Sequence, residues 1–464
     1  MLIRIFQSNF RLVRGFSQTF SNKAGPSSIY SLQGLDHKTE GDQLLTFAKS
    51  LVQEYWTLKR EDQEEFFVKL ATNYGANKAA LEHAITLFQK NPSYFVEVRN
   101  TATPLYYKLL KMVANLPGGV KTVCDMRAHI LDFIAHQTDR ERVHSLRRIE
   151  EACRELLTVW FCLSNLRLER VTWESPGDIL YKIAENEAVH PIRGIVDFRK
   201  RIGAHRRCFY FGHQAMPREP LVMVHVALMD RIADNVQTIV KSEDDTFDEN
   251  LHTTAIYYSI TSIQKGLSGI DLGNMLIKQV ATKITSELPN IKTHCTLSPI
   301  PGFRAWLLRC LHEHSEYGQI VDDFIIRTVR RATGKQNLSK DEVTDLLIKI
   351  FSAERISLEQ LDLLREPLMY ACAQYLYLAK RNGYSLNSVA NFHLRNGAEM
   401  YRINWRGDTS NRGLENSLGI MVNYRYRLES MHKNSHKYST DKIITVSDSI
   451  IKLLGPKLTD IVRN

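Results

Sequence analysis

Apolar residues recur at helical spacing through the first third of the chain. Between residues 44 and 56 they fall every three or four positions, which places them on one face of a helix. The same spacing predicts further helices over residues 64–74, 78–89, 104–116, 123–136 and 143–168. Gly75 and the Pro-Gly-Gly run that ends the fourth helix act as stop signals. We therefore predict an all-α helical bundle over residues 36–170.

After about residue 170 the pattern changes to short runs rich in β-branched and aromatic residues. The turn "SPG" and the pair "HP" mark the boundary between the two patterns. "RRCFYFGH" and "EPLVMVHVALM" predict a hairpin, and "TTAIYYSIT" predicts a third strand. A glycine-bearing turn and the helix "IDLGNMLIKQVATKITSEL" follow, which predicts an α/β unit. Helices are predicted again over 303–382, and strands in "AEMYRINW" and "LGIMVNYRYRLE".

The opening segment has the composition of a targeting sequence. The chain has 464 residues, 44% of them hydrophobic, and a net charge of +10. Residues 1–35 carry Arg4, Arg11, Arg14 and Lys23 but no acidic residue, so the remainder has a net charge of +6. An amphipathic, acid-poor segment of this kind predicts a mitochondrial transit peptide, the alternative being a disordered tail. Its polar residues interrupt the apolar core that a secretory signal requires.

Three further absences in the sequence limit the function classes. The chain does not end in a Ser-Lys-Leu peroxisomal signal, and no uncharged apolar run is long enough to predict a transmembrane helix. The seven cysteines form no C-x-x-C pair, which favours reduced thiols in an intracellular protein over a zinc framework. We expect no metal, no cofactor and no nucleic-acid partner.

The turn "QKGLSGIDLGN" is the first candidate for a binding site. A glycine-bearing turn at a helix N-terminus exposes backbone N–H groups, and with the helix dipole these attract a phosphate. The spacing matches neither the dinucleotide motif nor the P-loop. The alternative is that Gly266 and Gly269 serve only a tight turn.

A serine and a histidine are the candidates for chemistry. In "CTLSPIPGF" two prolines stiffen the loop that presents Ser298, although this serine is equally suited to capping the helix that begins near Phe303. In "NFHLRNGAEMYRINWRGD" the setting of His393 is loop-like, and histidine is the residue best suited to proton exchange near neutral pH. The rival histidines are His190, His205, His213 and His225. In the run "NYRYRLE" aromatic and basic side chains alternate. This pattern fits either a groove that binds an anionic ligand or a strand with one apolar and one solvated face.

Taken together and in order, these segments resemble one family. "HPIRGIVDFRKRIGAHRRCFYFGH", "EPLVMVHVAL", "AIYYSITSIQKGLSGIDLGNMLIKQV", "LSPIPGF", "NFHLRNGA", "INW" and "NYRY" are similar to motifs of the malonyl-CoA decarboxylases, over about residues 40–450. The resemblance implies an α+β protein, with an N-terminal helical bundle followed by a catalytic domain, residues 171–464, that resembles the acyl-CoA N-acetyltransferase (GNAT) fold with a mixed sheet. It also implies a homo-oligomer, a tetramer formed through the helical domain.

The resemblance implies that malonyl-CoA and a proton become acetyl-CoA and CO₂, without a cofactor. The site must stabilise an enolate and then deliver a proton to carbon. By motif, Ser298 and His393 form the catalytic pair, Ser298 anchoring the malonyl carboxylate or accepting a proton and His393 donating the proton. Tyr426 supports them from the acyl end. The stretch that cradles CoA consists of Ser268, Gly269, Ile270, Asp271, Leu272, Gly273 and Asn274.

One residue departs from the family pattern. Members commonly carry glutamate where this chain has Asp271, so we expect its shorter carboxylate to orient His393 over a longer distance or through water. Two alternatives to a decarboxylase remain open. One is an acyl-CoA-dependent acyltransferase on the same scaffold, and the other is an inactive CoA-binding or assembly protein.

Overall fold

The chain folds into two compact units that divide after Cys153. The structure is a computed structural model, and it describes residues 29–241, 248–312 and 323–455. Most of the predicted transit segment, residues 1–28, lies outside the described residues. Within the described part, no helix combines the length and the apolar character that a bilayer crossing requires. An α+β fold, with a helical region before a mixed sheet, is confirmed.

The first unit is built from helices. They are α1 (Gly41–Thr57), α2 (Arg60–Asn73), α3 (Lys78–Lys90), α4 (Phe95–Ala102), α5 (Leu105–Ala114), α6 (Gly119–His136) and α7 (Arg140–Trp160), which continues past Cys153, with short 3₁₀ turns at Tyr30–Leu32 and Pro92–Tyr94. Apolar residues of α1, α2 and α5, among them the fully buried Leu51, Phe67 and Leu109, belong to the core. Within the core, the Tyr55 hydroxyl lies 2.5 Å from Nδ1 of His129. A helix is present at each predicted position, although the last one ends earlier than predicted, and α4 is additional.

The second unit is organised by a mixed sheet of eight strands. The strands are β1 (Leu166–Val171), β2 (Arg206–His213), β3 (Val222–Met229), β4 (Thr254–Ser262), β5 (Thr293–Thr296), β6 (Ser298–Pro299), β9 (Glu399–Asn404) and β10 (Met421–Tyr426), while β7 (Lys380–Arg381) and β8 (Tyr384–Ser385) form a separate pair. The order is β1-β2-β3-β4-β5-β10-β6, with β9 also on β10. Among the strand pairs of the described residues, only β4–β5 is parallel.

Helices cover the sheet and extend the second unit. They are α8 (Gly177–Asn186), α9 (Ile195–Arg201), α10 (Val236–Lys241), α11 (Leu272–Glu287), α12 (Phe303–His312), α13 (Asp323–Thr333), α14 (Lys340–Ser352), α15 (Leu358–Leu363), α16 (Arg365–Tyr377), α17 (Ser388–Arg395), α18 (Asn411–Ser417), α19 (Met431–Asp441) and α20 (Asp448–Leu454). The predicted hairpin is β2–β3, and the predicted strand–turn–helix unit is β4–α11.

Two local predictions were wrong because sheet pairing outweighs local pattern. The helix predicted over 143–168 ends at Trp160, and the residues from Leu166 form β1, which pairs along its whole length with β2. The stretch "CTLSPIPGF", residues 295–303, was predicted as a loop, but it contains the end of β5 and the whole of β6, and both strands pair with β10. The partner of β1 lies 37 to 47 residues away and β10 lies more than a hundred from β5 and β6, and such partners cannot be recognised from short runs.

The β4 and β5 strands separate at their carboxyl ends. Their pairing runs from Thr254–Thr293 to Tyr257–Thr296 and closes with the Leu297 N–H donating to the Tyr257 carbonyl at 3.2 Å. Beyond that point β4 continues to Ser262, whereas the chain after β5 pairs with β10 instead. The separation opens a gap inside the sheet, at the edge where α11 begins.

The end of α17 depends on a glycine, which gives a test of the fold. Gly397 has φ +78°, and an added Cβ would lie 2.0 Å from the carbonyl oxygen of Met431. We expect Gly397→Ala to lower the free energy of unfolding by about 3 kcal/mol, since it adds a backbone clash to the strain of a left-handed residue. Gly334→Ala is the matched control, with φ +69° and open space, and should cost about 1 kcal/mol. Equal losses in urea unfolding would contradict the packing described.

Candidate active site

The gap between β4 and β5 holds a cavity of about 350 Å³. Its walls come from the ends of these strands, the turn before α11, and the first two turns of α17. Both candidates for chemistry, Ser298 and His393, line it, as do Ser268, Gly269, Ile270, Leu272 and Gly273 of the predicted cradle. The fold therefore brings together three segments that are far apart in sequence.

The cavity wall carries no formal charge among the described residues. Aliphatic and aromatic side chains dominate, and the polar groups are serine hydroxyls, two tyrosines and the imidazole of His393. No Asp, Glu, Lys or Arg is among the described lining residues. A negatively charged group that enters this space loses water without gaining a counter-ion, which raises its free energy.

Ser298 lies on β6, and its hydroxyl points to two buried partners. The side chain is 5% exposed, and Oγ donates to Oγ1 of Thr296 at 2.8 Å and lies 3.0 Å from Nε2 of His393. Helix α12 begins at Phe303, five residues later, so the hydroxyl is not used to cap it. Pairing of Val422 with Ser298 fixes the backbone that carries this hydroxyl.

His393 lies within α17, not in the loop-like setting that the sequence suggested. Asn387 caps the helix by accepting from the Ala390 N–H, and Gly397 ends it. The imidazole is buried and stacks on the Tyr424 ring with centroids 4.6 Å apart. Its Nδ1 lies 2.7 Å from the hydroxyl of Tyr426. The prediction failed because α17 is only eight residues long and is followed by a glycine turn.

The hydrogen bonds determine which ring nitrogen of His393 carries the proton. A serine hydroxyl has one proton, and that of Ser298 is donated to Thr296. The 3.0 Å contact between Ser298 Oγ and Nε2 then requires Nε2 to be the donor. Nδ1 is the acceptor in a neutral ring, so it accepts from the hydroxyl of Tyr426. The proton of His393 is therefore on Nε2, the nitrogen that faces Ser298.

Burial keeps the imidazole of His393 and the phenol of Tyr426 neutral. Desolvation lowers the pKa of His393 to about 3. It also raises the pKa of Tyr426 well above its ordinary value. An exposed histidine exchanges protons near neutral pH, but burial moves the pKa of His393 below that range. At neutral pH the site contains an imidazole and a phenol, each with its proton in place.

The turn before α11 supplies backbone donors at the cavity wall. Gly269 has φ +78°, which turns the chain into the helix. Three N–H groups of the turn bond to carbonyls within it, those of Ser268, Ile270 and Leu272. The N–H groups of Gly269 and Gly273 have no backbone partner among the described residues. An added Cβ on Gly273 would lie 2.8 Å from the Phe392 ring, so this glycine lets α11 approach α17 closely.

Asp271 lies at the N-cap position of α11 and is exposed. Burial is the main cause of the raised pKa of Tyr426, and the negative charge of Asp271 raises that pKa further. The described side-chain partners of the His393 ring nitrogens are Ser298 and Tyr426, so the tyrosine rather than Asp271 orients the imidazole in this structure. The side chain of Asn274 lies outside the described part of the chain.

The rival histidines lie elsewhere, and His393 is the one described histidine that lines this cavity. His225 is fully buried 3.3 Å from Glu187, His205 contacts His252, and His213 packs on Phe161. His190 lines a second cavity. Sequence reasoning missed Thr296, which fixes the direction of the Ser298 hydroxyl. The signal was its position two residues earlier, since alternate strand residues share a face.

Comparison with known proteins matches two family models to successive parts of the chain. A family model described as "Malonyl-CoA decarboxylase N-terminal domain" matches residues 74–161, and one described as "Malonyl-CoA decarboxylase C-terminal domain" matches residues 164–463. A mitochondrial malonyl-CoA decarboxylase of Anser anser anser is 41% identical over 364 residues, 77% of this chain and 71% of that protein. The mitochondrial malonyl-CoA decarboxylase of Rattus norvegicus is 41% identical over 365 residues, which are 77% of this chain and 73% of that protein.

Solved structures agree with the sequence comparison. The crystal structure of malonyl-CoA decarboxylase from Rhodopseudomonas palustris superposes with a TM-score of 0.77 and 31% identity, covering 90% of this chain and 96% of that one. The crystal structure of malonyl-CoA decarboxylase from Agrobacterium vitis superposes with a TM-score of 0.75 and 28% identity. It covers 89% of this chain and 95% of that one.

The buried histidines predict how stability depends on pH. Burial lowers the pKa of His225 and His294 to about 4 and that of His393 to about 3. Below about pH 6.5 the unfolded chain binds protons that the folded chain does not, so the free energy of unfolding should fall from pH 7 to pH 5. Each histidine contributes a slope of at most about 1.4 kcal/mol per pH unit.

Urea unfolding at pH 7, 6 and 5 measures this slope. His294→Gln should reduce it, whatever that variant does to stability at pH 7. His432→Gln, at an exposed position, should leave the slope unchanged. An identical slope in wild type and His294→Gln would show that His294 is protonated equally in both states.

Proposed function

This chain belongs to the malonyl-CoA decarboxylase family, and we propose on that basis that it converts malonyl-CoA and a proton into acetyl-CoA and CO₂. The observation that carries this proposal is the cavity without charged lining residues that contains the buried Ser298 and the neutral His393. The reaction needs an environment that favours loss of a carboxylate and a group that then protonates carbon. Both requirements are met by the described residues.

The uncharged wall favours loss of the carboxylate. A malonyl carboxylate placed here has no basic side chain to stabilise it in the ground state. As CO₂ leaves, the negative charge spreads onto the thioester enolate, which needs water less than a compact carboxylate does. Stabilising substrate and transition state equally would not raise kcat, so the absence of a counter-ion assists the reaction.

The proton for the enolate carbon comes from Nε2 of His393. The donor is a neutral imidazole, a form that other enzymes also use as an electrophile. Transfer of the Nε2 proton to carbon leaves electron density on the ring, and the Tyr426 hydroxyl, 2.7 Å from Nδ1, supplies a proton to that nitrogen. A proton from solvent then adds to Nε2, and Nδ1 returns its proton to the Tyr426 oxygen, which restores the starting tautomer. The overall reaction therefore consumes one proton, which reaches carbon through Nε2 of His393.

Ser298 holds the Nε2 proton toward the cavity. In the sequence-based hypothesis this serine anchored the carboxylate or accepted a proton, and the observed hydrogen bonds favour the acceptor role. The N–H groups of Gly269 and Gly273, at the dipole-positive start of α11, are suited to the thioester oxygen or a CoA phosphate. The assignment of the cradle to residues 268–274 comes from the family resemblance, and these two donors support it.

An assay without an acceptor distinguishes the proposed function from the acyltransferase alternative. A decarboxylase releases CO₂ and acetyl-CoA from malonyl-CoA alone, whereas an acyltransferase releases CoA only when an acceptor is added. The family comparisons give no support to the transferase. Failure to release CO₂ from malonyl-CoA would refute the proposal.

Location and assembly are further proposals. The acid-poor segment over residues 1–35 and the mitochondrial names of the relatives support a mitochondrial location. A homotetramer formed through the helical region stays a prediction from the family resemblance. Light scattering of the purified chain, compared with that of residues 154–464, measures the assembly state and the contribution of the helical region.

The role of His393 predicts a large loss of rate with little loss of binding. His393→Asn removes the proton donor and should lower kcat at least about a hundredfold, with CoA affinity retained. His432→Asn is the control at an exposed histidine and should keep the wild-type rate. A wild-type rate in His393→Asn would refute the assignment.

The role of Thr296 predicts a smaller and more specific effect. Thr296→Val removes the acceptor for the Ser298 hydroxyl, which then turns its proton toward Nε2 and favours the wrong tautomer of His393. We expect kcat to fall about tenfold, the effect of one buried hydrogen bond, with KM nearly unchanged. Thr296→Ser keeps the oxygen and should retain most of the rate. Equal losses in the two variants would show that packing, not the hydrogen bond, matters at Thr296.

A further inference from the structure

A second cavity of about 760 Å³ adjoins the active-site cavity and plays no part in the proposed chemistry. It lies among the loop after α8, helices α9 and α10, and the residues that lead into α18. Val189 lines both cavities, so a single residue separates them at that point. Its volume lies within the range of small-molecule and cofactor sites.

The charge of this cavity is opposite to that of common intracellular metabolites. Among the described residues, four basic side chains line it, Arg193, Lys200, Arg201 and Arg412, against two acidic ones, Asp197 and Asp408. Arg201 neutralises Asp197 through a two-pronged ion pair at 2.9 and 3.0 Å. Arg193 is exposed, and its guanidinium makes no hydrogen bond within the described part of the chain. The net positive charge favours an anionic group such as a phosphate.

Two buried polar atoms in the same cavity lack partners among the described residues. They are Nε2 of His190 and Oε1 of Gln237. The orientation of the Gln237 amide is fixed because its Nε2 donates to Asp408 at 2.8 Å. Its Oε1 can therefore accept a hydrogen bond from a ligand. Arg201 donates to the His190 carbonyl at 2.5 Å, which holds that segment in place. Buried atoms of this kind normally have a partner.

These partners exclude a simple inorganic anion as the full ligand. Phosphate at neutral pH is chiefly an acceptor, so it suits Arg193 but not the acceptor oxygen of Gln237. A nucleobase presents a donor and an acceptor side by side, together with flat apolar faces. The apolar wall includes Pro191, Val236 and Val240.

We propose that this second cavity binds a nucleoside phosphate, with Arg193 on the phosphate and His190 and Gln237 on the base. Two sources have this chemistry, the nucleotide end of a CoA thioester and a free nucleotide. Because Val189 lines both cavities, a ligand that moves Val189 in this cavity also changes the shape of the active-site cavity.

Calorimetric titration of the full chain with ADP tests the proposal without any assay of activity. Wild type should bind ADP at least about tenfold more tightly than inorganic phosphate, which lacks the base. Arg193→Gln and Gln237→Leu should each weaken ADP binding about tenfold, equivalent to about 1.4 kcal/mol. Arg199→Gln is the matched control, because this exposed arginine lies on α9, shortly after Arg193, and does not line the cavity. It should bind ADP as wild type does.

Kinetics then separate the two sources, and this step alone rests on the proposed decarboxylase activity. If the nucleotide end of the substrate binds here, Arg193→Gln raises KM for malonyl-CoA but not for malonyl-pantetheine. If a free nucleotide binds, Arg193→Gln leaves both KM values unchanged while ADP binding is lost. The proposal is overturned if wild type does not bind ADP at millimolar concentration, or if Arg193→Gln binds it as tightly as wild type.

Discussion

Removal of His393 from water is the constraint on which the active site depends. The imidazole is enclosed by α17, β10 and β6, and the cost of charging it there keeps it neutral at every physiological pH. The same enclosure removes ionic side chains from the cavity wall and keeps Tyr426 protonated. A carboxylate brought into this space is destabilised, and the proton it needs after losing CO₂ is already on Nε2. One physical effect, desolvation, therefore accounts for both halves of the proposed chemistry.

The fold creates this enclosure by separating two parallel strands. Continuous pairing of β4 with β5 would fill the gap with backbone hydrogen bonds, but pairing ends at Tyr257 and Thr296. The strand β10 then takes over, pairing with both β5 and β6 and carrying Tyr424 and Tyr426 to the imidazole. Gly397 ends α17 where a larger residue would strike the Met431 carbonyl, so the helix that carries His393 is fixed at both ends.

The sequence predicted which residues belong to the site better than it predicted the strand pairings and contacts that surround them. The motifs identified Ser298, His393 and Tyr426, and the structure places all three within one hydrogen-bonded chain. Local patterns also located β2, β3, β4 and α11, whose periodicity is strong. They failed for β1, β5 and β6, because these short strands are stabilised by distant partners. Thr296 and the neutrality of His393 were missed for the same reason, since both depend on which side chains surround them after folding.

The protonation state of His393 is the central claim, and nitrogen-15 NMR of histidine-labelled protein measures it directly. The His393 signals are assigned by their loss in a His393→Asn spectrum and followed from pH 8 to pH 5. The account predicts a neutral ring with protonated Nε2 and unprotonated Nδ1 throughout this range. A ring that takes up a second proton with a midpoint near pH 6.5, or one protonated on Nδ1 alone, would contradict it.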